Sequence, residues 1–205
     1  MTSGRYGAVV ETARPGNKMH RRKASPLANF ARNGIFWHVQ GLEPPDIHFL
    51  NAAQGWLGLD CPGEARIELN AIAPEFQSQP EVLETRWALA IREQCWEEAR
   101  EIAQLEIRAK PEDSSGWLHH AYAVRRASNG GLIMAWGALL PAAEKFPKEP
   151  VIAFNLSCYA CQLKQLETSR IWLKRAIEVG GREIILKMAL ADEDLKPLWP
   201  EIPGL

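Results

Sequence analysis

Two short motifs in the sequence combine residue types that often carry out chemistry: a pair of cysteines and a pair of histidines. Cys158 and Cys161 form a C-x-x-C motif. Such a motif supports redox chemistry when it opens a helix in an α/β fold. Here both cysteines fall at small, inward positions well inside a predicted helix, so we interpret them as packing residues. His119 and His120 are adjacent. Adjacent helical residues point about 100° apart, so these two cannot hold one metal ion from the same face.

The sequence also lacks a zinc-binding cysteine pattern, a phosphate-binding loop and the common hydrolase motifs. Cys61 and Cys95 lie near two different predicted helix starts, a spacing that does not favour a four-thiolate zinc site. Asn129-Gly130-Gly131 is typical of a turn between helices rather than of a phosphate-binding loop. The chain contains neither a Gly-x-Ser-x-Gly elbow nor a His-Glu-x-x-His motif. We therefore predict no enzymatic activity, no metal and no cofactor.

Composition is that of an ordinary globular chain. Of the 205 residues, 46% are hydrophobic and 24% are charged, and the net charge is -1. This length suits one domain, or two small ones, with a sizeable core. Four cysteines are too few for a disulfide scaffold. No apolar run reaches the roughly 18 residues needed to span a bilayer, and the basic N-terminal residues lack the apolar stretch of a secretory signal. We expect a soluble, cytoplasmic protein without a membrane partner.

The first 43 residues differ in charge from the rest. Residues 1–43 hold seven basic and two acidic side chains, a net charge of +5, whereas residues 44–205 hold 17 basic and 23 acidic ones, a net charge of -6. Glycine, proline and serine interrupt the segment, and we expect it to be largely disordered. Its basic cluster, residues 19–23, is interpreted as part of a solvated tail. The alternative is that the cluster steers nucleic acid or anionic lipid.

From Asp46 onward the chain repeats itself with a period near 34 residues. Four similar stretches align at positions spaced by 34, 36 and 35 residues, namely Ala65, Ala99, Ala135 and Arg170. Prolines stand at matching points, where a second helix should stop and the next unit begin: Pro80, Pro111 and Pro147. A period of this length is typical of an array of helix–turn–helix units.

These stretches resemble the tetratricopeptide repeat family, whose units place large and small residues on a first helix, alanines on a second and a proline at the end. The first unit matches through Phe49, Ala53, Trp56, Ala65 and Leu69. The second matches through Leu83, Ala90, Trp96, Ala99, Ala103 and Pro111. The third matches through Trp117, Ala121, Ala135, Leu139, Ala142 and Pro147, and the fourth through Phe154, Cys158, Cys161 and Ala176. Trp87 stands where the family has a small residue.

The predicted fold is therefore all-α: a tetratricopeptide-like α-solenoid of about four helix–turn–helix repeats with a C-terminal capping helix pair. Eight helices are expected near residues 46–59, 62–74, 80–93, 95–109, 114–127, 131–146, 150–163 and 166–179. The repeat domain covers residues 44–181. Residues 182–205 are expected to form two short helices, Glu183–Leu190 and Asp194–Trp199, that cover the exposed face of the last repeat.

The resemblance implies that the first helix of each unit faces a concave groove that holds a peptide ligand. Projecting that face onto the sequence gives the candidate groove residues Glu84, Arg92, His119, Tyr122, Arg125, Arg126, Asn155, Tyr159 and Gln162. Arg125 and Arg126 could meet a carboxylate, with Tyr122 and Tyr159 on either side of an extended segment. The alternative is that the two arginines are a solvated helix end.

The predicted function is that of a non-enzymatic interaction scaffold, which binds a peptide or protein partner in this groove. One alternative is an accessory subunit or chaperone of a bacterial complex, which would present a large apolar patch instead. Another is a nucleic-acid-associated adaptor that uses the basic N-terminal segment; its binding would depend strongly on salt. We do not expect nucleic acid to be the main partner.

Overall fold

A computed structural model describes residues 41–205 of the chain, and these residues form helices and turns without any strand. Nine α-helices follow one another in this part: α1 (Asp46–Gly58), α2 (Pro62–Ala71), α3 (Pro80–Arg92), α4 (Trp96–Ala109), α5 (Ser115–Arg126), α6 (Leu132–Lys145), α7 (Pro150–Gln162), α8 (Leu166–Gly180) and α9 (Arg182–Ala191). Three 3-10 helices lie at Pro74–Phe76, Glu193–Leu198 and Ile202–Gly204. The predictions for residues 1–40 lie outside the described residues.

Neighbouring helices along the chain pack against each other in pairs. The pairs α1–α2, α3–α4, α5–α6 and α7–α8 are in contact, and so are the successive pairs, through α2–α3, α4–α5 and α6–α7. Several helices begin at a proline, as at Pro62, Pro80 and Pro150. Proline suits this position because its fixed φ fits the first helical turn and its missing N–H is not needed there. Residues 41–205 are thus all-α, with adjacent helices packed together.

Three of the turns that join the two helices of a pair have the same geometry. Each contains a non-glycine residue with positive φ, namely Asp60 at 60°, Gln94 at 59° and Lys164 at 63°. The next residue donates its backbone N–H to the carbonyl five residues earlier: Cys61 to Trp56, Cys95 to Ala90 and Gln165 to Ala160, each at 2.9 Å. This bond satisfies a carbonyl at the end of the first helix. Three of the units that repeat in the sequence thus share one backbone conformation at the turn between their two helices.

The structure corrects the alignment of the fourth unit. Four residues are fully buried near the start of their helices: Ala65, Ala99, Ala135 and Ser169. Each donates its backbone N–H to the backbone carbonyl of the residue four positions earlier. Arg170 instead lies at the surface side of α8, where it forms an ion pair with Glu201. The position equivalent to Ala99 is therefore Ser169 and not Arg170. A serine fits there because its hydroxyl donates to the carbonyl of Ser157 at 2.8 Å, which satisfies it inside the core.

The C-terminal residues 182–205 pack onto the last helix pair. Leu195, Leu198 and Ile202 are fully buried in the same hydrophobic cluster as residues of α7 and α8. The short helix predicted over Asp194–Trp199 is observed as a 3-10 helix, Glu193–Leu198, which contains Pro197. Asp192 begins it by accepting a hydrogen bond from the N–H of Asp194 at 2.9 Å.

Within residues 41–205, the helices are all too short or too polar to cross a membrane.

Candidate binding site

The predicted groove residues lie at three shared places and two separate ones in the structure. Glu84 and His119 line one pocket, and Tyr122 and Arg126 form a stack further along α5. Arg125, Tyr159 and Gln162 adjoin the C-terminal segment. The remaining two make local contacts: Arg92 forms an ion pair with Asp60, and the side-chain amide of Asn155 donates to the carbonyl of Val151 at 2.8 Å.

The pocket lies between α3, α4 and the start of α5 and has a volume of about 110 Å³. Its lining consists mainly of charged and polar residues: Pro80, Glu84, Glu106, Lys110, Asp113, Ser115, Gly116 and His119. The close approach of α5 to α4 depends on Gly116, because a Cβ there would lie 2.9 Å from the backbone nitrogen of Ile107. Such a small polar pocket suits the head group of a ligand rather than a whole substrate.

His119 is held in a fixed orientation by two contacts on different helices. Its ring stacks on the indole of Trp87, with 3.6 Å between ring centroids and 11° between ring planes. Its Nδ1 lies 2.7 Å from Oε2 of Glu106. A ring that is fixed by stacking and by a hydrogen bond needs little reordering when a ligand arrives. The structure thus supplies one rigid wall of the pocket.

Glu84 carries the unbalanced charge of the pocket. Burial raises the pKa of Glu84 by removing water from its carboxylate. The nearby negative charges of Glu106 and Asp113 raise it further, whereas His119 and Lys110 oppose the rise. Among residues 41–205, no side chain forms a hydrogen bond or ion pair with Glu84, and the residue is exposed to solvent. The carboxylate is therefore available to a ligand.

A Glu84→Gln variant is expected to be more stable than the wild type near neutral pH. Because the folded state raises the pKa of Glu84, ionisation of this group destabilises the fold as the pH rises from about 4. The glutamine variant avoids that loss, so the difference in melting temperature should shrink as the pH falls towards about 4. Thermal melts of both proteins across this range measure it. Glu101→Gln, at an exposed position on α4, is the control, and an equal pH trend in both variants would contradict the prediction.

The second place is an aromatic stack around Arg126. The guanidinium carbon of Arg126 lies 3.5 Å from the ring centroid of Tyr122 and 5.5 Å from that of Trp96. Burial lowers the pKa of Arg126, and no carboxylate within the described part of the chain forms an ion pair with it. Its Nη1 donates to the carbonyl of Tyr122 at 3.1 Å. A half-buried guanidinium with donors to spare is suited to bind a carboxylate.

Arg125, although adjacent to Arg126, already has a carboxylate partner. Its guanidinium forms a two-point ion pair with Asp194, in which Nη2 donates to Oδ1 at 2.9 Å. Burial alone would lower the pKa of Arg125, but the hydrogen bond and charge of Asp194 outweigh this and raise it. Gln162 donates to the backbone carbonyl of Asp194 at 2.8 Å, and Tyr159 is buried with only 2% of its surface exposed. Arg125 and Gln162 therefore hold the C-terminal segment of the same chain, and the ring of Tyr159 lies against the guanidinium of Arg125.

Three residues that shape these sites are not among the predicted site residues: Trp87, Glu106 and Asp194. Trp87 could have been found from the sequence, since it is a large residue at a position where the repeat family has a small one. Glu106 lies on α4, the second helix of its unit, and therefore fell outside the face that was projected. Asp194 lies 69 residues from Arg125 along the chain, and no local pattern links the two.

The cysteines and the acidic turn residues do not form a reactive or open metal site in the described residues. Burial raises the pKa of Cys158 well above its usual range, so the thiol stays protonated. Glu93, Cys95 and Glu98 have ligand atoms within 4.8 Å of one another. The guanidinium of Arg66 already lies against both carboxylates, with Nη2 donating to Oε2 of Glu98 at 2.9 Å. A cation of the protein itself thus balances this cluster.

No protein-family model matches the chain, and no curated protein is similar to it in sequence. The likeness to tetratricopeptide repeats therefore depends on the repeat and on the geometry of the chain itself.

Proposed function

We propose that the chain is a tetratricopeptide-like α-solenoid of about four repeats, capped by residues 182–205, and that it acts as a non-enzymatic scaffold for a peptide or protein partner. The array is supported by the three matching turns at Asp60, Gln94 and Lys164. It is also supported by the fully buried small residue near the start of each second helix. A single helix pair cannot bury both of its faces, so pairs of this kind stack into arrays.

The observation that carries the binding function is the environment of Arg126. This guanidinium lies against Tyr122 and Trp96 and lacks a carboxylate partner among residues 41–205. Arginine and tyrosine are enriched among the residues that dominate binding energy at interfaces. An acidic group of a partner would find donors that are already oriented, at little cost in side-chain entropy. His119, which lines the pocket beside Glu84, lies on the same helix as Arg126, seven residues or about two turns earlier.

The proposal is tested by affinity capture with the full-length chain from a lysate of its native cells. The comparison uses three proteins: the wild type, Arg126→Gln, and the control Arg108→Gln at an exposed position on α4. We expect one protein partner to be retained by the wild type and the control and to be lost or much reduced with Arg126→Gln. The captured partner is then purified, and its Kd is measured with each protein. A charge-assisted contact predicts a loss of about tenfold for Arg126→Gln.

Two results would contradict the proposal. A partner that binds all three proteins equally would place recognition on another surface. Recovery of nucleic acid, in an amount that falls steeply with salt and is unaffected by Arg126→Gln, would favour the adaptor function instead.

A further inference from the structure

The pocket between α3, α4 and α5 has more negative than positive charge, and most of its charged groups are already engaged. Glu106 is within hydrogen-bond distance of His119, at 2.7 Å. Asp113 accepts a hydrogen bond from the backbone N–H of Ser115 at 2.9 Å, which places it at the start of α5. The Nζ of Lys110 lies 3.6 Å from Oε1 of Glu81, outside the pocket.

Glu84 differs from these charged residues of the pocket lining. It faces the pocket beside Glu106 and has no partner among the described residues. A cationic group that enters the pocket would therefore meet an accessible carboxylate that no side chain of residues 41–205 engages. The volume of about 110 Å³ admits a small head group. The His119–Trp87 stack keeps one wall rigid, so the pocket is formed before any ligand arrives.

We propose that this pocket binds the cationic head group of a lysine or arginine side chain of the partner, with Glu84 as its counter-ion. This inference rests on the proposed function and specifies the chemistry of the partner. His119 and Arg126 are seven residues apart on α5, two turns along one face, or about 10 Å. An extended peptide advances about 3.3 Å per residue. The partner segment should therefore carry a basic residue and, about three positions away, an acidic residue for Arg126.

The pocket is tested directly by NMR of the full-length, isotope-labelled chain. The probes are n-butylammonium and n-butylguanidinium, with n-butanol as the uncharged control and sodium chloride to hold the ionic strength constant. We expect a saturable shift of the Glu84 carboxyl and His119 ring signals with at least one of the two cations, and none with n-butanol. The two probes distinguish a lysine head group from an arginine head group.

Two variants make the test specific. Glu84→Gln should weaken the binding of the cation at least about tenfold, whereas Glu101→Gln should leave it unchanged. Shifts that never saturate, or a Glu84→Gln variant that binds as tightly as the wild type, would overturn the proposal. If Glu84→Gln disturbs the fold, the wild-type titration decides alone.

Failure of this inference can be told apart from failure of the proposed function. A captured partner that is lost with Arg126→Gln but binds Glu84→Gln with unchanged Kd would remove the cation pocket and keep the scaffold. Saturable binding of the cation together with no partner that depends on Arg126 would keep the pocket and remove the proposed peptide groove.

Discussion

A Gly130→Ala variant is expected to lose about 3 kcal/mol or more of its free energy of unfolding. A Cβ at this position would lie 1.8 Å from the backbone oxygen of Val124, far inside van der Waals contact. The turn cannot simply open, because the N–H of the next residue, Gly131, donates to that same oxygen at 3.0 Å. The methyl group would therefore break the junction between α5 and α6. Urea unfolding measures the loss.

Gly137→Ala is the matched control for this change. Gly137 lies in α6, and a Cβ there would have no atom within 4 Å. Because glycine is a poor helix former, alanine at this position should stabilise the protein by about 0.5–1 kcal/mol. A Gly130→Ala protein that unfolds at the same urea concentration as the wild type would show that this turn is not as tight as described.

The second large effect is expected at the ion pair between Arg125 and Asp194. Arg125→Ala should destabilise the fold by about 2 kcal/mol, because it leaves Asp194 without the hydrogen bonds that compensate its partial burial. It also removes one of the contacts that hold residues 192–198 against α5 and α7. Asp194→Ala should cost a similar amount by leaving the half-buried guanidinium unpaired.

A double-mutant cycle separates the pair from its surroundings. If the two side chains stabilise the fold through each other, the double variant should lose about 1–2 kcal/mol less than the sum of the single variants. Strictly additive losses would contradict the ion pair. Arg108→Gln, on the exposed side of α4, controls for the general effect of losing a positive charge.

The helices were largely predictable from the sequence, because their signals are local. The eight helices of the predicted repeats match the observed bounds within one residue, except that α2 ends at Ala71 rather than near residue 74. There Pro74 forces the preceding Ala73 into an extended conformation and starts a separate 3-10 turn. The same local signals misled the alignment of the last unit by one residue, since a serine at position 169 does not look like a core residue.

The candidate site was predictable only in part, because its contacts join distant residues. Tyr122 and Arg126 lie near each other on one helix, so their stack follows from spacing alone. The partners of His119 could not be derived in this way, since Glu106 reaches it from α4 and Trp87 from α3. Arg125 was offered to a ligand because nothing local to it shows that Asp194 binds it. Charged side chains form ion pairs across the fold. A prediction from one helical face therefore counts side chains as available to a ligand although a distant residue already binds them.

The occupation of Arg125 and Gln162 by the C-terminal segment also constrains how such a chain can change in evolution. A duplicated helix pair inserted between two existing pairs would pack against helices whose surfaces already fit such a pair, because three of the turns share one geometry. A unit added after α8 would instead displace Leu195, Leu198 and Ile202 from the core. Adding a unit after α8 would therefore lower the stability of the fold before it created a new binding surface. Inserting a unit closer to the N-terminus would leave the contacts of residues 182–205 with α7 and α8 unchanged.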